Sequence, residues 1–135
     1  WKKRGTSAGF SDAPKTWLPI PPEHRELAVD QQTRNPDSML NFYRNLLAWR
    51  KTHPALLKGR LKLLPADPQL LGYERRLDDD ALLCVFNFSG KKARLPLPRG
   101  WADGLIDEGC GLTGAEIRRG ALVLAPWSGA VLVHP

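Results

Sequence analysis

Residues 35–57, NPDSMLNFYRNLLAWRKTHPALL, constrain this chain more than any other stretch, because they alone carry sustained helical periodicity. Asn35 can accept a free N–H of the first turn, and Pro36 suits the first helical position, where its missing N–H costs nothing. Asp37 sets negative charge against the positive end of the helix dipole. Met39, Leu40, Tyr43, Leu46 and Leu47 follow as an apolar stripe at three- and four-residue spacing. Arg50, Lys51 and His53 gather at the far end, and Pro54 stops the run. The spacing predicts a helix over 36–51, roughly 24 Å long at about 1.5 Å per residue. A single helix cannot bury such a stripe against itself. The chain needs something for it to pack on.

The rest of the sequence limits what that partner can be. A length of 135 residues fits one domain, or one domain and a piece of another, and 42% apolar residues suffice for a small core. Residues 1–34 show no periodicity, and Gly5, Gly9, Pro14, Pro19, Pro21 and Pro22 interrupt any regular element, so the segment reads as extended. Yet Trp1, Phe10, Trp17, Leu18 and Ile20 are too apolar for a free linker. Such a segment is expected to cover a surface that the remaining residues do not supply. The first residue is Trp rather than Met, which fits processing or a piece of a longer protein.

Beyond the helix the pattern changes to short alternating runs. Strands are predicted at 59–64, 70–77 and 81–88, with the aspartates 78–80 as a hairpin connection, then at 91–97 after a Ser89-Gly90 turn. Residues 101–114 are glycine-rich and loop-like, with a short strand near 105–107; further strands are expected at 115–118, 121–124 and 130–133. The expected fold class is mainly β, an antiparallel β-sandwich behind an extended segment and one long helix.

Candidate chemistry is sparse. The triple aspartate lacks the other ligands of a calcium loop and reads as a polar turn. His24, His53 and His134 are isolated in the sequence, and no Gly-x-Ser-x-Gly elbow occurs. Glu23, Glu26 and Asp30 cluster without a cleft that would make them a catalytic pair. The tryptophans Trp17, Trp49, Trp101 and Trp127 invite a sugar-stacking reading, with core or interface packing as the alternative. Cys84 reads as a small apolar strand residue; a disulfide to Cys110 stays open, and no Cys-x-x-Cys suggests a metal. The expectation is a reduced, cytoplasmic protein with no metal and no cofactor. A net charge of +6 comes from basic residues spread along the whole chain and mixed with acids, so neither nucleic acid nor membrane is an expected partner.

The helical stretch, as NPDSMLNFYRNLLAWRKTHPALLKG, resembles a segment of the α-glucosidases and oligo-1,6-glucosidases of the α-amylase family, with Asn35 in place of the usual acid. Trp1 with AGF (8–10), WLPI (17–20) and VDQQ (29–32) is similar to the segment that precedes it there, and ALLCVFNFSG and LAPWSGAVL to the C-terminal β domain. The resemblance implies that residues 1–57 are the end of a (β/α)8 catalytic barrel, with the last barrel helix at 36–51, and 58–135 the C-terminal sandwich. It implies a retaining hydrolase of terminal α-linked glucose, whose three catalytic carboxylates lie upstream of every matched residue. No catalytic residue is therefore expected in this chain, and only Trp1 would touch substrate. The implied partners are the remainder of the barrel and, through it, an oligosaccharide. Two alternatives are a stand-alone carbohydrate-binding or interaction module, and a parent that is a transglucosidase or a sucrose- or trehalose-type isomerase.

Overall fold

Two apolar-rich runs joined by the aspartates 78–80 build a hairpin over residues 70–87, in a computed structural model that describes residues 1–65 and 67–134. Strands β2 (Leu70–Leu77) and β3 (Asp80–Asn87) pair antiparallel and close at Leu77–Asp80, with Asp78 taking the left-handed backbone (φ 51°) of the tight turn. With β1 (Arg60–Leu63), β8 (Gly129–Val133) and β5 (Leu105–Ile106) they form a five-stranded sheet of order β1-β2-β3-β8-β5. A three-stranded sheet of order β4-β7-β6 comes from β4 (Ala93–Pro96), β6 (Ala115–Arg118) and β7 (Ala121–Leu124). All the paired strands run antiparallel.

Period two then decides the layers. Leu83, Val85, Ala130 and Leu132 of the large sheet meet Leu95, Leu122 and Leu124 of the small one in a buried core, which Trp101 joins. The expected sandwich is what forms. On the reverse face of the large sheet, Leu82, Cys84 and Val131 are also buried, beneath Ala55 and the half-buried Leu46, Trp49 and Leu56. The large sheet is thus apolar on both sides, unlike a sheet with one solvated face. β1 is an edge strand, with Arg60 opposite Arg76 and Lys62 opposite Glu74.

The chain divides into two compact units, Trp1–Asn45 and Leu46–Pro135. The long helix α3 (Met39–Lys51) begins in the first and ends in the second. It starts at Met39, not at Pro36 as the sequence pattern predicts. The Asn35 side chain instead accepts from the Asp37 N–H (3.0 Å) in a local turn, and Ser38 supplies the cap, its Oγ accepting from the Asn41 N–H at 3.2 Å. Nor are residues 1–34 extended throughout: they hold the short helices α1 (Pro22–Glu26) and α2 (Val29–Gln32), single turns too brief to leave a periodic trace. Pro54, expected only to stop a helix, also opens one. Helix α4 (Pro54–Lys58) has it at the first position, and the Asp80 carboxylate receives the Ala55 N–H at 2.7 Å. Gly59 ends α4 where a Cβ would collide with the Ala55 carbonyl, so only glycine permits the turn into β1.

Candidate functional site

The first unit places Trp1. A left-handed turn at Ser7 and Ala8 (φ 48° and 50°) folds the N-terminal segment back, with the Lys2 N–H donating to the Ala8 carbonyl at 2.9 Å. Trp1 stacks on Phe10 with centroids 5.5 Å apart, and its indole N–H donates to the His24 carbonyl at 3.1 Å. The ring is 44% exposed, one side covered by Phe10 and the polar edge already engaged. What remains open is an apolar surface, suited to packing or to a sugar face.

The acidic residues nearby serve this fold. Glu26 pairs with Lys3 Nζ at 2.6 Å, and Asp30 accepts the Lys3 backbone N–H at 2.9 Å. Desolvation raises the Asp30 carboxyl, but the hydrogen bonds from Lys3 and Gln31 and the nearby Arg34 charge hold it below its ordinary value. Both charges are engaged in tying residue 3 to α1 and α2. A general acid and a nucleophile would instead have to flank an open bond.

In the second unit, α3 and the loop after β5 meet at a polar cluster. Trp49 Nε1 donates to Asp107 Oδ2 at 2.8 Å across 58 residues of chain. His53 lies on the Trp49 ring (centroids 4.6 Å) with its Nε2 3.5 Å from the same carboxylate oxygen. The sequence shows His53 as isolated; the fold pairs it with an acid. Asp107 also caps the following turn through the Gly109 N–H at 2.7 Å. A Cβ on Gly109 would stand 2.9 Å from Asp107 Oδ1 and 3.0 Å from the Trp49 ring, so a side chain there would push on the hydrogen-bonded pair.

The arrangement superficially resembles a hydroxyl–imidazole–carboxylate relay, with Thr52 Oγ1 3.2 Å from His53 Nδ1. It cannot work as one. The Thr52 hydroxyl donates to the Trp49 carbonyl at 2.7 Å, and His53 Nδ1 faces that same carbonyl at 3.1 Å. A general base needs a ring nitrogen free to accept the nucleophile's proton. Here each nitrogen faces an acceptor, so the cluster is an anchor joining a helix end to a loop.

The other tryptophans part company. Trp101 is fully buried, donates to Glu74 Oε2 at 2.9 Å and lies against the His134 ring, so it has no face for a ligand. Trp127 is exposed at a turn with φ 53°, an unusual backbone for a bulky residue. Trp17, at 96% exposed, is the barest large side chain of the first unit. Cys84 and Cys110 are both buried and unpaired. Burial pushes the Cys84 thiol up to about 11 and the neighbouring Tyr73 hydroxyl up to about 12, so Cys84 stays an inert thiol at neutral pH. Among the described residues no group of three or more His, Cys, Asp or Glu gathers as a metal site, and no helix is long and apolar enough to cross a membrane.

Known proteins match the chain in two segments. The sequence pattern of the alpha amylase catalytic domain matches residues 1–59, and that of the maltogenic amylase C-terminal domain matches residues 61–130. A probable oligo-1,6-glucosidase of Bacillus subtilis is 40% identical over 96 residues, which is 70% of this chain and 17% of that protein. A probable alpha-glucosidase of Rhizobium meliloti is 41% identical over 90 residues, 67% of this chain and 16% of that protein. The crystal structure of XgtA, an alpha-glucosyl transfer enzyme, superposes with a TM-score of 0.86 and 32% identity over 100% of this chain and 24% of its own. The chain therefore spans about a sixth of the length of the curated relatives it matches.

Proposed function

Because this chain belongs to the α-amylase family, matching its catalytic domain over residues 1–59 and a maltogenic amylase C-terminal domain over 61–130, we propose that it is the non-catalytic C-terminal portion of a retaining α-glucosidase-like hydrolase. Its role in that reading is to close and brace a (β/α)8 barrel acting on terminal α-linked glucose, with the boundary between barrel and sandwich at residues 57–58. The observation that carries it is the bareness of the first unit. Trp17, Phe10, Leu18, Met39 and Tyr43 all stand exposed, while the buried residues there are the small Ser7, Ala8, Ala28 and Ser38. A segment so rich in large apolar side chains, and so poor in core, fits a piece of a larger packed body.

In this reading the reactive carboxylates belong to upstream segments of the parent. Trp1 is the residue of this chain on the substrate side, through the open part of its ring. A reducing, cytoplasmic setting belongs to the same reading and rests on the two unpaired cysteines. The similarity to an alpha-glucosyl transfer enzyme favours a second form of the reaction, in which the parent passes glucose to a sugar hydroxyl instead of water.

The test is the intact mass of the native gene product, followed by assay on maltose and isomaltose. A product much longer than 135 residues that releases glucose with retained anomeric configuration is expected. Longer oligosaccharides accumulating at high maltose would identify transfer. Hydrolysis by a protein of this length alone would overturn the reading.

A further inference from the structure

A cleft of about 730 Å³ lies at the β1 margin of the five-stranded sheet, and its walls are charged. Lys58 at the end of α4, Arg60 and Lys62 on β1, and Arg76 on β2 meet there, with Glu74 and Asp78 as the acids. Four cations against two carboxylates leave positive charge in surplus in one concave place. The strand register sharpens this. Arg60 stands directly opposite Arg76, and Lys62 opposite Glu74, so alternation sets all four on the face that carries Ala81 and Leu83 further in. Like charges directly opposite each other on neighbouring strands destabilise a sheet.

The acids do not remove that repulsion. Glu74 is engaged by the Trp101 N–H at 2.9 Å and by Arg76 Nε at 3.0 Å. Arg76 gives that one nitrogen, and its two terminal nitrogens have no acceptor among the described residues. Lys58, Arg60 and Lys62 form no ion pair among the described residues. Charges of its own protect an edge strand from adding another. That accounts for Arg60 and Lys62, but not for an arginine set against the first on the next strand, nor for Lys58.

The donors select the ligand. Each guanidinium presents a planar fork of N–H groups. A carboxylate has two oxygens and is used up by one fork. A phosphate group has three terminal oxygens and carries roughly 1.5–2 negative charges at pH 7, so it can serve both forks at once. The cleft holds more than a bare anion needs and falls within the size range of small-molecule sites. We propose that it binds a small phosphate monoester, the phosphate lying between Arg60 and Arg76 with Lys62 and Lys58 beside it. Every residue of the site lies between 58 and 78, so it does not depend on the reaction proposed above.

Equilibrium dialysis of the intact native gene product against inorganic phosphate, and separately against glycerol phosphate, in about 0.1 M chloride tests the site. Both should bind saturably, the ester at least as tightly. Arg60→Gln should weaken each by about tenfold or more, while Lys92→Gln, just ahead of β4, leaves them unchanged. Thermal midpoints separate lost binding from lost folding. Without phosphate, Arg60→Gln should melt no lower than the wild type, because it relieves a like-charge pair. With phosphate the wild type should gain more than the variant, and the general salting effect, common to both, cancels in that difference. Binding that does not saturate, or that Arg60→Gln leaves intact, is an ionic atmosphere and overturns the site. A variant that melts well below the wild type without phosphate shows Arg60 already paired within the native product, and overturns it too. Phosphate bound without the ester is an adventitious ion only, and overturns the assigned ligand.

Discussion

Trp49 commits its one N–H to a carboxylate at 2.8 Å, and that hydrogen bond ties the end of α3 to the loop after β5. Trp49→Phe keeps the ring on His53 but leaves the half-buried Asp107 short of a donor. It should cost about 1–3 kcal/mol in urea denaturation, and much less in an Asp107→Asn background. Glu74 gives a pH-dependent counterpart. Burial raises its carboxyl, yet the Trp101 N–H and the Arg76 guanidinium outweigh that and hold it below the ordinary 4.5. A folded value below the unfolded one means the group stabilises the fold above pH 4.5, and that this is lost as pH falls through the folded value. Thermal midpoints followed into acid should therefore drop in the wild type, and Glu74→Gln should flatten that part of the profile.

At the scale of elements, Ser38 is the clearest case for a test. Its Oγ accepts the Asn41 N–H and donates to the Gln32 carbonyl at 2.7 Å, which joins the start of α3 to α2. Ser38→Ala should cost about 0.5–2 kcal/mol by thermal or urea denaturation, whereas Pro36→Ala, ahead of the helix, should cost much less. The strands were legible in the sequence because short apolar runs are bounded by turn residues: 70–77, 115–118 and 121–124 lie where the aspartates 78–80 and the Arg119-Gly120 turn delimit them. The helix start was not, since Asn35 and Ser38 both carry capping chemistry and only the fold shows which one uses it. α4 hides behind Pro54, a residue that ends one helix and begins another equally well. The pairing of His53 with Asp107 was illegible for a different reason: it is a contact between distant stretches, and local pattern carries no trace of it. Trp101 likewise looked available for a sugar until the core closed over it.

For the molecule as a whole, neighbouring leucines of α3 separate what this chain packs by itself from what the proposed longer enzyme would pack. Leu46 is half-buried on the reverse face of the sheet, while Leu47 is 52% exposed. Leu46→Asp should destabilise this chain by on the order of 2 kcal/mol or more, by forcing a carboxylate into an apolar contact. Leu47→Asp should stay within about 0.5 kcal/mol here, yet approach the larger penalty in the longer native product. Equal effects in the two settings would remove Leu47 from any interface. The cations along β1 carry a final consequence. Arg60 and Lys62 line a strand whose outer side has no strand neighbour among the described residues, so another chain adding itself there would press like charge against like. The reach of that repulsion shrinks from about 10 Å at 0.1 M salt to about 3 Å at 1 M. On its own, this chain should stay dispersed in dilute buffer and grow sheet upon sheet in brine.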